Sequence, residues 1–317
     1  MNMASEIPEK IFSTRHECPI CTSGKFSELY RLPYLSSEIK SYLSDFYFSH
    51  AVAEFEYLEN ADYILCECAN CEAIFQKEIP GDALMLRLYE KWIHPVNVAE
   101  NRRSLSYSHF KNYADEVARI ASLFKAPPAS LRFCDFGLGW GDWALMAKAH
   151  GISSYGTELS NERIEHSRAN GIKVISWDEI PGKDFDFINT EQVFEHLDKP
   201  LETLRHLKSG LKKGGIIKIS VPYAHDIKRR LQSIDWKDKQ GIAATLSPVA
   251  PLEHINYFRR KSIVKMGHIV GMQEHRFPIS NQYSNSRIFG EGLKDTIKNL
   301  ARPIYRSTID NYILLQY

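Results

Sequence analysis

Five of the six cysteines lie within the first 71 residues, and four of them form two short motifs. Cys18 and Cys21 form one Cys-x-x-Cys motif, and Cys68 and Cys71 form a second. Two such turns can place four thiolates around one Zn²⁺ in a closed tetrahedral site, which leaves no open position for catalysis. The spacing therefore predicts a structural zinc ion bound by these four residues. Cys66 is then the spare thiol, although the sequence leaves open that it replaces Cys68 as a ligand.

Free buried thiols and a zinc ribbon that binds nucleic acid are two other interpretations of this segment. Residues 22–65 are rich in Glu, Tyr and Phe and poor in Lys and Arg, a composition that disfavours contact with phosphate groups. The formal net charge of the chain is +1, so no global field attracts a polyanion. We therefore expect no nucleic-acid partner.

Hydropathy and cysteine usage indicate where the protein resides. The sequence lacks a stretch of about 20 apolar residues, so we expect no membrane-spanning segment. The first 17 residues lack the apolar centre of a secretory signal. A cysteine cluster in a reducing compartment is typical of metal ligands. The sequence thus predicts a cytoplasmic protein, and it leaves a homodimer open.

The second half of the chain predicts the elements that must position further chemistry. From residue 131 onward, strand-like and helix-like segments alternate, which indicates an α/β fold with a parallel sheet covered on both faces. We predict three segments: a zinc-binding module at 1–80, a helical connector or cofactor lid at 81–127, and an α/β domain at 128–317. The α/β domain is expected to carry insertions near residues 224–250 and 281–308.

The first strand of this domain ends in a glycine-rich turn. Gly137, Gly139 and Gly141 allow the backbone to bend sharply and are expected to leave amide groups open to a ligand at the helix start. A dinucleotide fingerprint would place a further glycine at Asp142. Asp135 fits a ligand with a cationic amino acid tail better than it fits a pyrophosphate.

Later strands of the domain also end in candidate binding residues. Glu158 ends the second strand, where a carboxylate can accept hydrogen bonds from both hydroxyls of a ribose; alternatively, it caps the helix that starts near Asn161. Trp177 and Asp178 follow the third strand, where they could contact an adenine ring and its amino group. Either of the last two could instead be an ordinary loop residue.

The ordered set of motifs resembles the class I S-adenosylmethionine-dependent methyltransferases, in the branch with a Glu-His signature after the fourth strand. The resemblance rests on the turn at 135–141, Glu158, the segment 194–197 (Phe-Glu-His-Leu), Leu-Lys-Lys-Gly-Gly at 211–215 and Val-Pro at 221–222. It implies a Rossmann-like sheet of seven strands that ends in an antiparallel pair, at 272–279 and 311–316. It also implies S-adenosyl-L-methionine (SAM) as the cofactor. The residues that we assign to the cofactor are Asp135, Gly137, Leu138, Gly139, Glu158, Leu159, Trp177, Asp178, Thr190 and Gln192.

Together with the cysteine-rich segment, the two Glu-His pairs make the chain similar to the sugar C-methyltransferases, which begin with a four-cysteine zinc domain. This resemblance implies that His196 and His254 lie in the active site, with His254 as general base and Glu253 as its support. Pro251 and Leu252 depart from the family pattern, which has a tyrosine and a histidine there. O- or N-methylation is therefore favoured over C-methylation.

The expected acceptor is a small molecule, such as a sugar, a nucleotide sugar or a secondary metabolite. Histidine titrates near neutral pH, so it can remove the proton of an acceptor atom during methyl transfer. Two alternatives remain open. One is a protein or RNA methyltransferase that uses the zinc module for docking, and the other is a catalytically inactive scaffold that binds SAM.

Overall fold

The computed structural model describes residues 11–47, 54–92, 105–284, 292–308 and 312–317. Residues 1–10 and 48–53 of the predicted zinc module, 93–104 of the predicted connector, and 285–291 of the second predicted insertion lie outside these ranges. Within the described ranges, the strands are β1 (Phe12–Thr14), β2 (Phe26–Pro33), β3 (Asp62–Cys68), β4 (Ile74–Gln76), β5 (Glu78–Pro80), β6 (Arg132–Phe136), β7 (Ser153–Thr157), β8 (Lys173–Val174), β9 (Phe185–Glu191), β10 (Leu211–Ser220), β11 (Asn256–Tyr257), β12 (Gln273–His275) and β13 (Tyr312–Gln316).

Helices alternate with these strands, most regularly between β6 and β10. They are α1 (Ser37–Phe46), α2 (Asp82–Arg87), α3 (Tyr107–Ala121), α4 (Asp142–Ala149), α5 (Asn161–Ala169), α6 (Pro200–Ser209), α7 (Ile227–Gln232), α8 (Lys239–Leu246), α9 (Arg260–Ile269), α10 (Ile279–Ser284) and α11 (Leu293–Thr308). A π-helical turn, Leu88–Trp92, follows α2 directly. None of the helices in the described ranges is long and apolar enough to cross a bilayer.

The chain forms two compact units. The first, here called the cysteine unit, contains the described residues up to 105 together with 195–198 and 222–258. The second, here called the sheet unit, contains the described residues of 106–194, 199–221 and 259–317. The predicted segment boundaries at 80 and 127 stay a prediction.

Two antiparallel sheets build the cysteine unit. β1 pairs with β5, and a four-stranded sheet has the order β11-β4-β3-β2. The short strand β11 comes from the segment after β10, yet it pairs with β4 through Asn256 opposite Phe75 and Tyr257 opposite Ile74. α7 and α8 add Ile227 and Leu246 to the same apolar core. The segment around the first predicted insertion is therefore part of this unit.

A mixed sheet of seven strands forms the centre of the sheet unit, in the order β12-β13-β10-β9-β6-β7-β8. β8, β7, β6, β9 and β10 are parallel, and β13 is antiparallel to both β10 and β12. The predicted α/β class, the seven strands and the antiparallel pair at the end are confirmed. The central strand β9 is buried from Phe185 to Thr190, as expected for a parallel strand covered on both faces.

Candidate functional site

The glycine turn between β6 and α4 has the left-handed backbone that its sequence predicts. Gly137, Gly139 and Gly141 have φ angles of 80°, 53° and 81°. A Cβ atom on Gly137 would lie 2.6 Å from Cγ2 of Val193, so a side chain there needs a rearrangement. A Cβ atom on Gly139 would meet nothing within 4 Å. The turn therefore faces open space at Gly139, where a ligand has room.

The expectation that the turn leaves its amides open to a ligand fails for four of them. The amides of Gly137 and Leu138 both donate to the Thr157 carbonyl oxygen, at 3.2 and 2.9 Å. The Gly139 amide donates to Glu158 Oε2 at 2.8 Å, and the Gly141 amide donates to the Leu138 carbonyl oxygen. The end of β7 and Glu158 lie beside the turn and accept three of these four hydrogen bonds.

Glu158 follows β7 and points its carboxylate at the glycine turn. Besides the bond from Gly139, its Oε1 accepts hydrogen bonds from the amides of Leu159 and Ser160, at 2.9 and 3.0 Å. Two carboxylate oxygens offer about four lone pairs, so capacity for a further donor remains. Three backbone amides and the Arg163 guanidinium, 4.0 Å from Oε1, hold the carboxylate in a fixed orientation, which suits it to bind a ribose.

Asp135 lies near the end of β6 and is 4% exposed. Its Oδ1 accepts a hydrogen bond of 2.7 Å from the Asn189 side chain on the neighbouring strand β9. Burial raises the pKa of Asp135 to about 7, although the Asn189 bond and the Lys218 ammonium oppose the rise. A nearby cation lowers the pKa of a carboxyl group. The cationic tail of SAM would therefore favour the ionised form of Asp135, which attracts that tail.

The side chains predicted to contact adenine lie on a short turn after β8. Trp177 is 42% exposed, and one face of its ring stacks on His206 with a centroid separation of 3.8 Å. Asp178 is exposed beside it. Leu159, which follows Glu158, is 98% exposed. Trp177 and Leu159 therefore leave apolar surface available for contact with a ligand.

Three other residues assigned to the cofactor differ in their surroundings. The Leu138 side chain is buried and packs with Ala144 and Ile172. The Thr190 hydroxyl is buried and donates to the Lys218 carbonyl oxygen at 2.8 Å. Gln192 is exposed and has a φ angle of 53°. The first two side chains stabilise the sheet unit, and only their main-chain atoms are left to contact a ligand.

The cysteine unit brings the four predicted metal ligands together. Cys18, Cys21, Cys68 and Cys71 are buried, and their sulfur atoms all lie within 4.8 Å of one another. The Cys18–Cys71 and Cys21–Cys68 sulfur separations are 3.6 and 3.5 Å. Sulfur atoms around a tetrahedral Zn²⁺ lie about 3.8 Å apart, given Zn–S bonds of about 2.3 Å. The cluster therefore fits such an ion, and Cys66 is not part of it.

The two cysteine turns have the same backbone geometry. In each, the amide four residues after the first cysteine donates to the carbonyl oxygen of that cysteine, as Thr22 does to Cys18 and Glu72 to Cys68. Thr22 and Glu72 both have positive φ angles, of 55° and 63°. Residues other than glycine adopt a positive φ only at a cost in conformational free energy. Two copies of one strained turn that face each other indicate a shared ligand.

The second predicted cluster also lies in the cysteine unit, where the rings of His196 and His254 have a centroid separation of 4.8 Å and an interplanar angle of 76°. Nδ1 of His196 contacts the Glu253 carbonyl oxygen at 3.1 Å, and Nδ1 of His254 contacts the Ser247 carbonyl oxygen. A carbonyl oxygen can only accept, so each Nδ1 must carry the hydrogen. In the neutral ring, the lone pair then lies on Nε2.

Burial determines the charge state of this histidine pair. It lowers the pKa of His196 to about 4, and the neighbouring His254 lowers it further. Burial also lowers the pKa of His254, against the hydrogen bond to Ser247. Both rings are therefore neutral at pH 7, which is the form that accepts a proton. The buried carboxylate of Glu195 lies 3.9 Å from Nε2 of His196.

The carboxylate of Glu253 contacts a residue that sequence analysis missed. Its Oε2 accepts a hydrogen bond of 2.6 Å from the Tyr47 hydroxyl, and burial raises the pKa of Glu253. The main-chain carbonyl oxygen of Glu253 contacts Nδ1 of His196, whereas Nδ1 of His254 contacts the Ser247 carbonyl oxygen. Tyr47 lies in an aromatic-rich segment without a motif, so only its composition could have indicated a role.

The five parallel strands, the glycine turn after β6 and the acid after β7 define a Rossmann-like α/β domain. The sequence model of a family described as "Methyltransferase domain" matches residues 105–273, which is more than half of the chain. The chain belongs to this family, and it is a SAM-dependent methyltransferase. A comparison with curated proteins found no match.

Solved structures with similar folds include several methyltransferases. Magnesium protoporphyrin IX methyltransferase from Synechocystis PCC 6803, with bound SAH, is 13% identical, with a TM-score of 0.46 over 74% of this chain and 99% of that chain. A plantazolicin methyltransferase with SAH and a monoazolic desmethylPZN analog is 16% identical, with a TM-score of 0.47 over 74% and 93%. A SAM-dependent methyltransferase from Archaeoglobus fulgidus is 16% identical, with a TM-score of 0.40 over 65% and 94%.

Proposed function

We propose that this methyltransferase acts on a small-molecule acceptor, such as a sugar, a nucleotide sugar or a secondary metabolite, at an oxygen or nitrogen atom. The observation that carries the proposal is the histidine pair. Both rings are anchored through Nδ1, both are neutral at pH 7, and both have the basic lone pair on Nε2. Such a pair suits the removal of a proton from a hydroxyl or amine.

SAM, when bound, supplies an electrophilic methyl group on a sulfonium. On our proposal, Glu158 binds the ribose hydroxyls, Asp135 attracts the cationic tail, and Trp177 with Asp178 contacts the adenine. His254 would take the proton from the acceptor atom and so make that atom nucleophilic. His196 lies beside it as the second candidate base. Glu253 fixes His196 through its carbonyl oxygen and has its own carboxylate bound to Tyr47.

We infer that Cys18, Cys21, Cys68 and Cys71 bind a structural Zn²⁺. Four thiolates complete a tetrahedral coordination sphere, so the ion would have no open position for the acceptor. The resemblance to sugar C-methyltransferases supports this inference, because those enzymes begin with a zinc domain of the same ligand type. Basic residues are few in residues 22–65, which argues against the alternative in which the module docks on RNA.

Turnover with defined acceptors tests the function. We expect SAH to form from SAM with at least one member of a panel of nucleotide sugars and hydroxylated metabolites, and not with peptides or RNA. His254→Gln should then lower kcat by about 10²- to 10⁴-fold, the usual contribution of general base catalysis. The dissociation constant of SAH should stay unchanged.

His150→Gln is the matched control, because Nδ1 of His150 also contacts a carbonyl oxygen but the ring is exposed at the C-terminal end of α4. Turnover with RNA or a peptide alone would overturn the acceptor class. Full activity in both His254→Gln and His196→Gln would overturn the assignment of the base. Tight SAM binding without turnover on any acceptor would support the inactive scaffold instead.

A further inference from the structure

Arg15 lies three residues before Cys18 and is almost fully buried in the cysteine unit, at 9% exposure. Burial lowers the pKa of Arg15 to about 10, so the guanidinium remains cationic at neutral pH. Its own amide donates to the Lys77 carbonyl oxygen at 2.8 Å. Its backbone is therefore tied to the strands that carry the two cysteine turns. Burial removes the hydration of an arginine, so the guanidinium needs well-formed hydrogen bonds to offset the lost free energy.

The guanidinium finds these bonds on the two segments that carry the histidine pair. Nη1 donates to the Ile255 carbonyl oxygen at 3.1 Å and to Asn256 Oδ1 at 2.9 Å. Nη2 donates to the Asp198 carbonyl oxygen at 2.9 Å. His254 precedes the first acceptor by one residue, and His196 precedes Asp198 by two. One side chain thus joins the two segments at the positions next to both histidines.

Two amide side chains complete this connection. Asn256 Nδ2 donates to the Leu197 carbonyl oxygen at 2.6 Å, so it ties the two segments to each other directly. Gln76, five residues after Cys71, donates through Nε2 to the carbonyl oxygens of Ala250 and His254, at 2.9 and 3.2 Å. Each cysteine turn therefore has a neighbouring buried side chain that bonds to the main chain around His254.

We propose that Arg15 is a positioning residue that couples the cysteine cluster to the His196–His254 pair. The histidines come from segments about 60 residues apart in sequence. His196 ends a short turn, Phe194–His196, and His254 lies two residues before the short strand β11. A base must be held within about 0.5 Å of its working position, which requires supporting residues with locked side chains. The proposal rests on the proposed role of the pair as a base. It explains why a small-molecule methyltransferase would keep a metal cluster without catalytic chemistry of its own.

NMR of the full chain labelled with ¹³C and ¹⁵N at histidine tests this proposal, with His196→Gln and His254→Gln used to assign the two rings. We expect Arg15→Met to shift the imidazole resonances of both rings and to raise the pKa of His196 toward its ordinary value, because the ring becomes less buried. Arg15→Lys should restore part of the change. Zinc content and the SAH dissociation constant should remain as in the unmodified protein.

Arg31→Met is the matched control, because Arg31 pairs with Glu28 and Asp62 on the surface of the same unit. Resonances of His196 and His254 that stay in place in Arg15→Met would overturn the proposal, as would equal shifts in Arg31→Met. If Arg15→Met fails to fold, Asn256→Asp provides the test, because it keeps the acceptor for Arg15 but loses the donor to Leu197. Unshifted His196 resonances in that variant would also overturn the proposal. Because no turnover is measured, a failure of the proposed function would not change these outcomes.

Discussion

The candidate cofactor residues of the sheet unit lie at the ends of neighbouring parallel strands, whereas the histidine pair of the cysteine unit depends on segments far apart in the chain. Gly139 and Glu158 are 19 residues apart and meet because β6 and β7 are adjacent. Arg15 and Ile255 are 240 residues apart and meet because β11 pairs with β4 in the other sheet. The first arrangement follows from regular topology, and the second is built by individual buried polar contacts.

This difference suggests that the two sites respond differently to substitution. In the sheet unit, backbone hydrogen bonds already hold the glycine turn and Glu158. A single side chain there should change ligand affinity more than structure. In the cysteine unit, buried polar side chains and the cysteine cluster hold the site, so the loss of one should disturb the whole arrangement.

The largest effect is expected at the cysteine cluster. Cys68→Ser should abolish the binding of one zinc per chain, because the remaining ligands cannot complete the tetrahedral site. Structural zinc contributes about 10–16 kcal/mol of apparent binding energy in small domains, so the cysteine unit should lose most of its protection against hydrogen exchange. Metal analysis and exchange mass spectrometry measure this change.

The spare cysteine provides the control for that experiment. Cys66→Ser should keep the zinc, because Cys66 lies outside the cluster of four sulfur atoms. SAH binding by the sheet unit should survive in both variants. Zinc that stays bound in Cys68→Ser but leaves in Cys66→Ser would reverse the ligand assignment.

A smaller effect is expected at Glu158. Glu158→Ala should weaken SAM and SAH binding by about 1–3 kcal/mol, the usual contribution of hydrogen bonds to a charged group. Titration calorimetry measures both constants. Glu162→Ala is the control, because Glu162 is exposed on α5. Equal affinities in Glu158→Ala and the unmodified protein would remove Glu158 from the cofactor site.

The smallest effect concerns the pH dependence of cofactor binding. The pKa of Asp135 is raised to about 7 by burial, so its carboxyl is mostly protonated below this pH and mostly ionised above it. Only the ionised form attracts the cationic tail. SAH affinity should therefore increase by up to about tenfold between about pH 6 and about pH 8.

Asp135→Asn isolates this contribution. The amino group of the ligand titrates with either protein, so the difference between the two pH profiles belongs to Asp135. The difference should be largest at the alkaline end, where the native carboxyl is ionised. Parallel profiles for the two proteins would show that Asp135 does not contact the charged tail.

Sequence patterns predicted most of the sheet unit because its signals are local. Apolar runs that end in glycine or an acid predicted the parallel strands, whereas the antiparallel pair of β12 and β13 was implied by the resemblance to the methyltransferases. The spacing of the cysteines predicted the four residues that the structure brings together. These features depend on residues within a few positions of one another, and a single sequence displays them directly.

The use of the turn amides could not be predicted, because it depends on where the end of β7 lies. Two side-chain contacts could not be predicted either. The Thr190 hydroxyl donates to the main chain of β10, and the Tyr47 hydroxyl donates to Glu253, about 200 residues away in sequence. No local pattern marks such a partner. Only the folded structure shows which partner lies beside a buried hydrogen-bonding group.

The sequence by itself determined which residue types could bind a metal, a ribose and a proton in this protein, because spacing and strand order are written in the chain. Tertiary structure alone decided that the segment after β10 joins the cysteine-bearing strands and that Arg15 and Gln76 hold the two histidine segments. The physical reason is that a buried hydrogen-bonding group must find a partner wherever the fold places one. The tertiary structure therefore determines the hydrogen-bond partner, and no periodic pattern in the sequence indicates it.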